Sequence, residues 1–143
     1  MTSAAHNLHP VVSQKERMAL IYRIRIWYPR MKRIYDEIVR AYEMNPLIPD
    51  PECIALCGRF RTGKTTIIDS FCAQHPRAIL DETTRVPVLK AVIPAKATIS
   101  SLLVAILSAL GDPLADQGSI GVKYNRLLHL VDDCEVQMII LDE

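Results

Sequence analysis

Residues 53–68 read CIALCGRFRTGKTTII, an order that few architectures accommodate. Cys53 to Cys57 is a short apolar run with the composition of a buried strand. Gly58, Arg59, Phe60, Arg61, Thr62, Gly63, Lys64 and Thr65 follow in the pattern G-x-x-x-x-G-K-T. Thr66, Ile67, Ile68 and Phe71 then open an amphipathic helix. A chance glycine turn needs no such context, whereas a phosphate-binding loop requires strand, loop and helix in this order.

The chemistry of that loop follows from its residue types. Glycines at positions 58 and 63 permit backbone angles that a Cβ would forbid. Successive N–H groups can then converge on an anion. A helix beginning near Lys64 adds unpaired amides and the positive end of its dipole. Lys64 is expected to reach the outer phosphates as a point charge, and Thr65 to hold Mg²⁺ through its hydroxyl.

The chain of 143 residues fits one domain or part of one, and half of its residues are hydrophobic, enough for a core. The net charge of +1 points to no class of partner, but its distribution is uneven. Residues 11–45 are rich in arginine and lysine, whereas the balance beyond residue 96 is acidic. Cys53, Cys57, Cys72 and Cys134 match no zinc or redox spacing, so they are expected to be buried free thiols in a reducing compartment. No apolar run approaches the ~20 residues needed to cross a bilayer, and residues 1–12 lack a signal-peptide pattern. The expectation is a cytoplasmic protein with no membrane partner.

Residues 1–13 read as a flexible leader, in which His6 and His9 are tail residues rather than metal ligands. Residues 14–44 read as a helical pair. Ser13 and Glu16 form a capping box for the first helix. Pro29 starts the second, in which Met31, Ile34, Tyr35, Ile38, Val39 and Tyr42 repeat at three and four. Two packed helices meeting at a corner follow from this, with Arg23, Arg25, Arg30, Lys32 and Arg33 around it. That corner is either a solvated face or a contact for an acidic partner, nucleic acid included. Residues 45–52 hold three prolines and read as a linker.

After the loop helix, a connection over residues 77–86 leads to a second buried strand, Val86 to Ile93, with Pro87 near its start. A helix begins at Thr98 or Ser100 with the face Ile99, Leu102, Leu103, Ile106, Leu107 and Leu110, and Gly111 is its C-cap. Another helix spans 121–134. The chain closes with VQMIILDE, an apolar strand ending in two carboxylates. Ligands bind at that end of strands in open parallel sheets. Asp142 is placed for the Mg²⁺ shell, and Glu143 for orienting or deprotonating the water that attacks a γ-phosphate.

Taken together these residues resemble TniB-type transposition proteins, AAA+ relatives of a transposon regulator. The resemblance runs from about residue 14 to the end. It rests on ERMALIYRIRIWYPRMKRIYDEI, on GRFRTGKTTII and on VPVLKAVIPAKATISSLLVAILSALGDP, and it closes at VQMIILDE. The tryptophan-tyrosine-proline-arginine corner and the VPV strand with its following P-x-x-x-T carry the discrimination. The resemblance implies a P-loop NTPase core of AAA+ type over residues 53–143, a parallel sheet of strand order 5-1-4-3-2 with flanking helices. It implies ATP and Mg²⁺ as cofactors, with nucleotide held by Gly58, Arg59, Phe60, Arg61, Thr62, Gly63, Lys64, Thr65 and Thr66, Mg²⁺ by Thr65 and Asp142, and catalysis by Lys64 and Glu143. It also implies ATP-dependent self-association on DNA and recruitment of a DDE transposase. Lys96 falls where such proteins present a loop to DNA, with Ser119 and Lys123 in the next loop.

The sequence departs from that pattern after Glu143: a fourth strand, a polar sensor, an arginine finger and a helical lid are not in it. The expectation is therefore an incomplete sheet in a fragment that folds poorly and turns over slowly. Three functions compete: an ATPase switch controlling transposition, a nucleotide-locked DNA adaptor with incidental hydrolysis, and an unrelated P-loop enzyme such as a small-molecule kinase.

Overall fold

Capping side chains start most of the helices. The computed structural model describes residues 13–24, 26–80 and 83–142, so the expected leader with His6 and His9 lies outside the described residues. Helix α1, Gln14–Arg23, begins at Ser13, whose N–H donates to Glu16 Oε2 at 2.7 Å while Glu16 N–H donates to Ser13 Oγ at 3.3 Å. Helix α2, Pro29–Met44, begins at its proline, where the missing N–H is no loss. Helix α3 is Lys64–Cys72, α4 is Ile99–Leu110 and α5 is Ile120–Asp133. Thr98 caps α4 through a box with Ser101, and Gly111 ends it at φ 95°.

A 3-10 turn at Asn45–Leu47 and four short strands complete the described elements. Strands β1, Ala78–Ile79, and β2, Thr84–Arg85, pair antiparallel in a small hairpin where the sequence suggests a plain connection. Strands β3, Val88–Val92, and β4, Met138–Asp142, pair in parallel from Val88 opposite Met138 to Val92 opposite Asp142. Pro87 sits just before β3 and serves only as an acceptor, its carbonyl taking Gln137 N–H and Met138 N–H.

Alternation along these two strands sorts the helices into layers. Leu89 and Ala91 face Leu103, Ile106, Leu107 and Leu110 of α4 and Leu127 of α5. Val88, with Met138 and Ile140 packed alongside, faces Met31 and Ile38 of α2 and Ile67 and Phe71 of α3. The fold is thus mixed α/β, with one helical pair on each face of a parallel pair of strands.

Two expectations give way here. The pair α1 and α2 is not the packed unit: every described α1 side chain is exposed, and the buried stripe of α2 goes to α3 instead. The strand expected at 53–57 is also not formed. That segment makes no strand hydrogen bonds, and Cys53 and Cys57 are exposed rather than buried. The physical reason is the lack of an adjacent ladder. Segment 53–57 and β4 face each other across a cavity of about 700 Å³, lined by Cys53, Ile54 and Leu56 on one side and Ile139 and Leu141 on the other. An apolar run becomes a strand only where a partner takes its N–H and C=O groups. Cys134 is buried as expected, and burial pushes the half-buried Cys72 thiol up from its ordinary pKa.

Phe71 is fully buried and joins α2 to α3. It meets Tyr42 edge-on with ring centroids 5.6 Å apart and Tyr35 at 6.0 Å, and His75 lies 4.6 Å away. Replacing Phe71 by Ala is expected to cost about 3–5 kcal/mol, the usual range for a deleted core aromatic. Ile99→Ala, at a position 71% exposed, should stay within about 0.5 kcal/mol. Urea unfolding followed by circular dichroism measures both; equal midpoints would show that the aromatic cluster does not tie the helices together.

Candidate phosphate-binding site

Helix α3 begins differently from its neighbours. Ser13, Thr98 and Ser119 each accept a backbone N–H at the start of α1, α4 and α5. At α3 the corresponding residue is Gly63, in the left-handed region at φ 87°, and no side chain caps the helix. The first amides of a helix have no internal acceptor. Among the described residues, none takes the backbone N–H groups of Arg59 to Thr66. A run of free amides at a helix start is an anion-binding surface.

The glycines serve different purposes. Gly63 needs its positive φ, and a Cβ there would also lie 3.1 Å from Met31 Cε. Gly58 lacks a positive φ, contrary to expectation; the left-handed residue is Arg61, at φ 61°. What Gly58 supplies is room, because a Cβ would lie 3.3 Å from Thr62 Oγ1.

Lys64 lies inside the arc of the loop. Its Nζ donates to the Gly58 carbonyl at 2.8 Å and the Arg59 carbonyl at 3.2 Å, and Thr62 Oγ1 donates to the Arg59 carbonyl at 2.8 Å. Thr65 is exposed and Thr66 half-buried. Phe60 projects outward, 87% exposed, with the Arg61 guanidinium over its ring at 5.7 Å.

The loop is also held from the amino-terminal side. Tyr28 Oη donates to the Thr62 carbonyl at 3.0 Å. Trp27 packs edge-on against Tyr35 at 5.2 Å, so the corner is anchored by its aromatics. A cavity of about 410 Å³ lies between Ile24, Ile26, Tyr28 and Met31 on one wall and Thr62, Gly63 and Thr66 on the other. Of the basic corner, Arg30, Lys32 and Arg33 are exposed, while Arg25 lies outside the described residues.

Asp142 stands at the C-terminal end of β4 and lines the 700 Å³ cavity together with Gly58 and Lys64. Through Lys90 the carboxylate is joined to Asp69 of α3, the helix that Lys64 begins, so it lies on the α3 side of the sheet. Asp142 Oδ2 is 3.0 Å from Lys90 Nζ, which also reaches Asp69 Oδ1 at 2.7 Å. Burial opposes the charge on Lys90, but its hydrogen bonds to both carboxylates outweigh it and raise its pKa above that of an ordinary lysine. Lys90 therefore stays charged at neutral pH, and what its charge contributes is lost as pH rises through that elevated value.

Magnesium is the ion this site would suit. A cation already sits against Asp142 in the form of the Lys90 ammonium, and hard oxygen donors such as Asp142 and the Thr65 hydroxyl match Mg²⁺. No group of three metal-binding side chains occurs among the described residues. Mg²⁺ held by one or two protein oxygens and phosphate does not need one. Glu143 lies outside the described residues.

The three expected DNA contacts separate. Lys96 is exposed on the connection between β3 and α4. Ser119 is the N-cap of α5, its Oγ accepting from Val122 N–H at 3.4 Å. Lys123 is only 6% exposed and donates to Ser100 Oγ at 3.3 Å. Its charge points into the protein, so the expectation of a DNA-contacting Lys123 is corrected: an amphipathic helix carried it inward. Sequence reasoning also missed Lys90, Asp69 and the Tyr28 hydroxyl. Lys90 had a visible signal, a single charge inside the apolar run VPVLKAVI.

A family model described as bacterial TniB protein matches residues 17–143. The chain belongs to the TniB family. The match takes in the glycine loop, Lys90 and Asp142 together, and it places this TniB-family chain among transposition-related proteins. No curated protein matches it. No helix among the described residues of this TniB-family member is long and apolar enough to cross a membrane.

Tyr28→Phe should lower stability by only about 0.5 kcal/mol, the low end for an exposed hydrogen bond. It should nonetheless accelerate amide hydrogen exchange at residues 60–64 more than elsewhere. Uniform exchange rates in parent and variant would remove Tyr28 as a tether of the loop.

Proposed function

We infer that this chain is an ATP-binding and ATP-hydrolysing regulator of DNA transposition, built on a P-loop core of AAA+ type. The observation that carries this reading is the uncapped start of α3: free amides from Arg59 to Thr66, with Lys64 inside their arc and Asp142 on the same cavity. Family membership supports the setting in transposition.

In this reading the amides of the loop cradle the phosphates, and Lys64 exchanges the Gly58 and Arg59 carbonyls for phosphate oxygens. Thr65 and Asp142 would hold Mg²⁺, which when bound would supply charge neutralisation at the phosphates, and Glu143 would accept a proton from the attacking water. The apolar wall of Ile24, Ile26 and Met31 beside Thr66 supplies a shelf for the nucleotide base. The nucleotide-loaded chain self-associates on DNA, where exposed Lys96 touches phosphate, and recruits a DDE transposase.

Calorimetry with MgATP tests the core of this. Lys64→Ala should weaken binding about 10- to 100-fold, because losing a hydrogen bond to a charged group costs about 1.5–3 kcal/mol. Unchanged affinity would overturn the assignment. Glu143→Gln divides the switch from the adaptor. A switch that needs turnover loses target control while still binding ATP; an adaptor keeps supporting transposition. Transposition assays on the intact protein with each variant read this directly.

A further inference from the structure

Lys90 projects from the middle of β3 on the face that packs against α3. Its neighbour in register is Ile140, two residues before Asp142, so Lys90 and the Asp142 carboxylate share one face of the sheet. Its ammonium is shared between Asp142 Oδ2 at 3.0 Å and Asp69 Oδ1 at 2.7 Å. Asp69 follows Thr65 by one helical turn, so the hydroxyl and the carboxylate lie along one line of α3. The Lys90 side chain is 27% exposed and that of Asp142 20%, so solvent screens this pair less than a surface pair.

We propose that Lys90 sets the metal affinity of the site: it is a built-in monovalent competitor for Asp142, and Asp69 is the alternative seat that draws it away. This rests on the reading of Asp142 as a magnesium ligand. A divalent ion arriving at Asp142 meets an ammonium on the same carboxylate. The two cations repel, and only one can hold Asp142 Oδ2 closely. Because Asp69 already accepts from Lys90, the ammonium gives up Asp142 while keeping one ion pair. Nothing is left buried and unpaired, so the exchange avoids the larger penalty of stranding a charge. Lys90 is a positioning residue here: it touches neither phosphate nor the reacting water, and acts through Asp142.

The two carboxylate partners make the proposal directional. Removing Lys90 frees Asp142 for the metal. Removing the charge of Asp69 leaves Lys90 with Asp142 alone and should hinder the metal. A merely structural role for the cluster would shift both variants the same way.

The experiment is Mn²⁺ binding to the intact, nucleotide-free protein, read by electron paramagnetic resonance of the free ion. Lys90→Met should tighten Mn²⁺ about fivefold, the effect of an ion pair at the upper end of the exposed range. Asp69→Asn should weaken it by a similar factor. In a chain that already carries Asp142→Asn, adding Lys90→Met should change nothing. Lys90→Arg, which keeps the cation, should stay near the parent and serves with Asp69→Asn if Lys90→Met does not fold. Shifts of the same sign in Lys90→Met and Asp69→Asn, or none in either, overturn the proposal whatever ATP does. The absence of nucleotide keeps the two readings apart: Lys64→Ala that still binds ATP refutes the phosphate loop, while opposite Mn²⁺ shifts would stand without it.

Discussion

The packing of α2 on α3 is the constraint on which the rest of the described structure depends. A helix of nine residues is marginal by itself, and most of its stability comes from the face it buries. In α3 that face is Ile67 and Phe71, and the surface that covers it comes from Met31, Tyr35, Ile38 and Tyr42 of α2 and from Val88 of β3. The start of α3 contributes nothing of its own, since Gly63 provides no cap. Its free amides are therefore held in place by contacts made a turn or two further on. A run of unpaired donors is possible here because stability is supplied elsewhere.

The sheet adds a second constraint. Parallel pairing of β3 with β4 fixes which side chains point toward α3, and that register sends Asp142 to the side of Lys64. The same alternation sends Lys90 there, into a face otherwise lined by Val88, Met138 and Ile140. A lysine in such a place is tolerable only with partners, and Asp69 and Asp142 are those partners. Charge neutralisation on this face of the sheet thus falls to these three residues.

Much of this was legible in the sequence where one short-range rule decides the outcome. The Ser13–Glu16 capping box, Pro29 at the start of α2, the stripe of α2, Gly111 at the end of α4 and the strands around Leu89 and Ile140 all follow from spacing and residue type. Reading failed where the outcome depends on a partner distant in the chain. Cys53 to Cys57 has the composition of a strand but nothing beside it to bond. Ile99 belongs to an apolar stripe yet remains 71% exposed, because the stripe extends past the end of the surface it covers. Lys123 looked like a surface charge and is buried beside Ser100. At the loop, residue types did not reveal that Arg61 takes the left-handed turn while Gly58 simply stays small.

The Tyr28 hydroxyl gives the amino-terminal corner a mechanical hold on the loop. It grips the Thr62 carbonyl while Met31, three residues on, rests against Gly63. A rigid rotation of α2 must either drag residues 62 and 63 with it or part both contacts. While both contacts hold, α2 and the turn at Gly63 can only move as one body, so a tilt of the helix is also a change in the curvature of that turn.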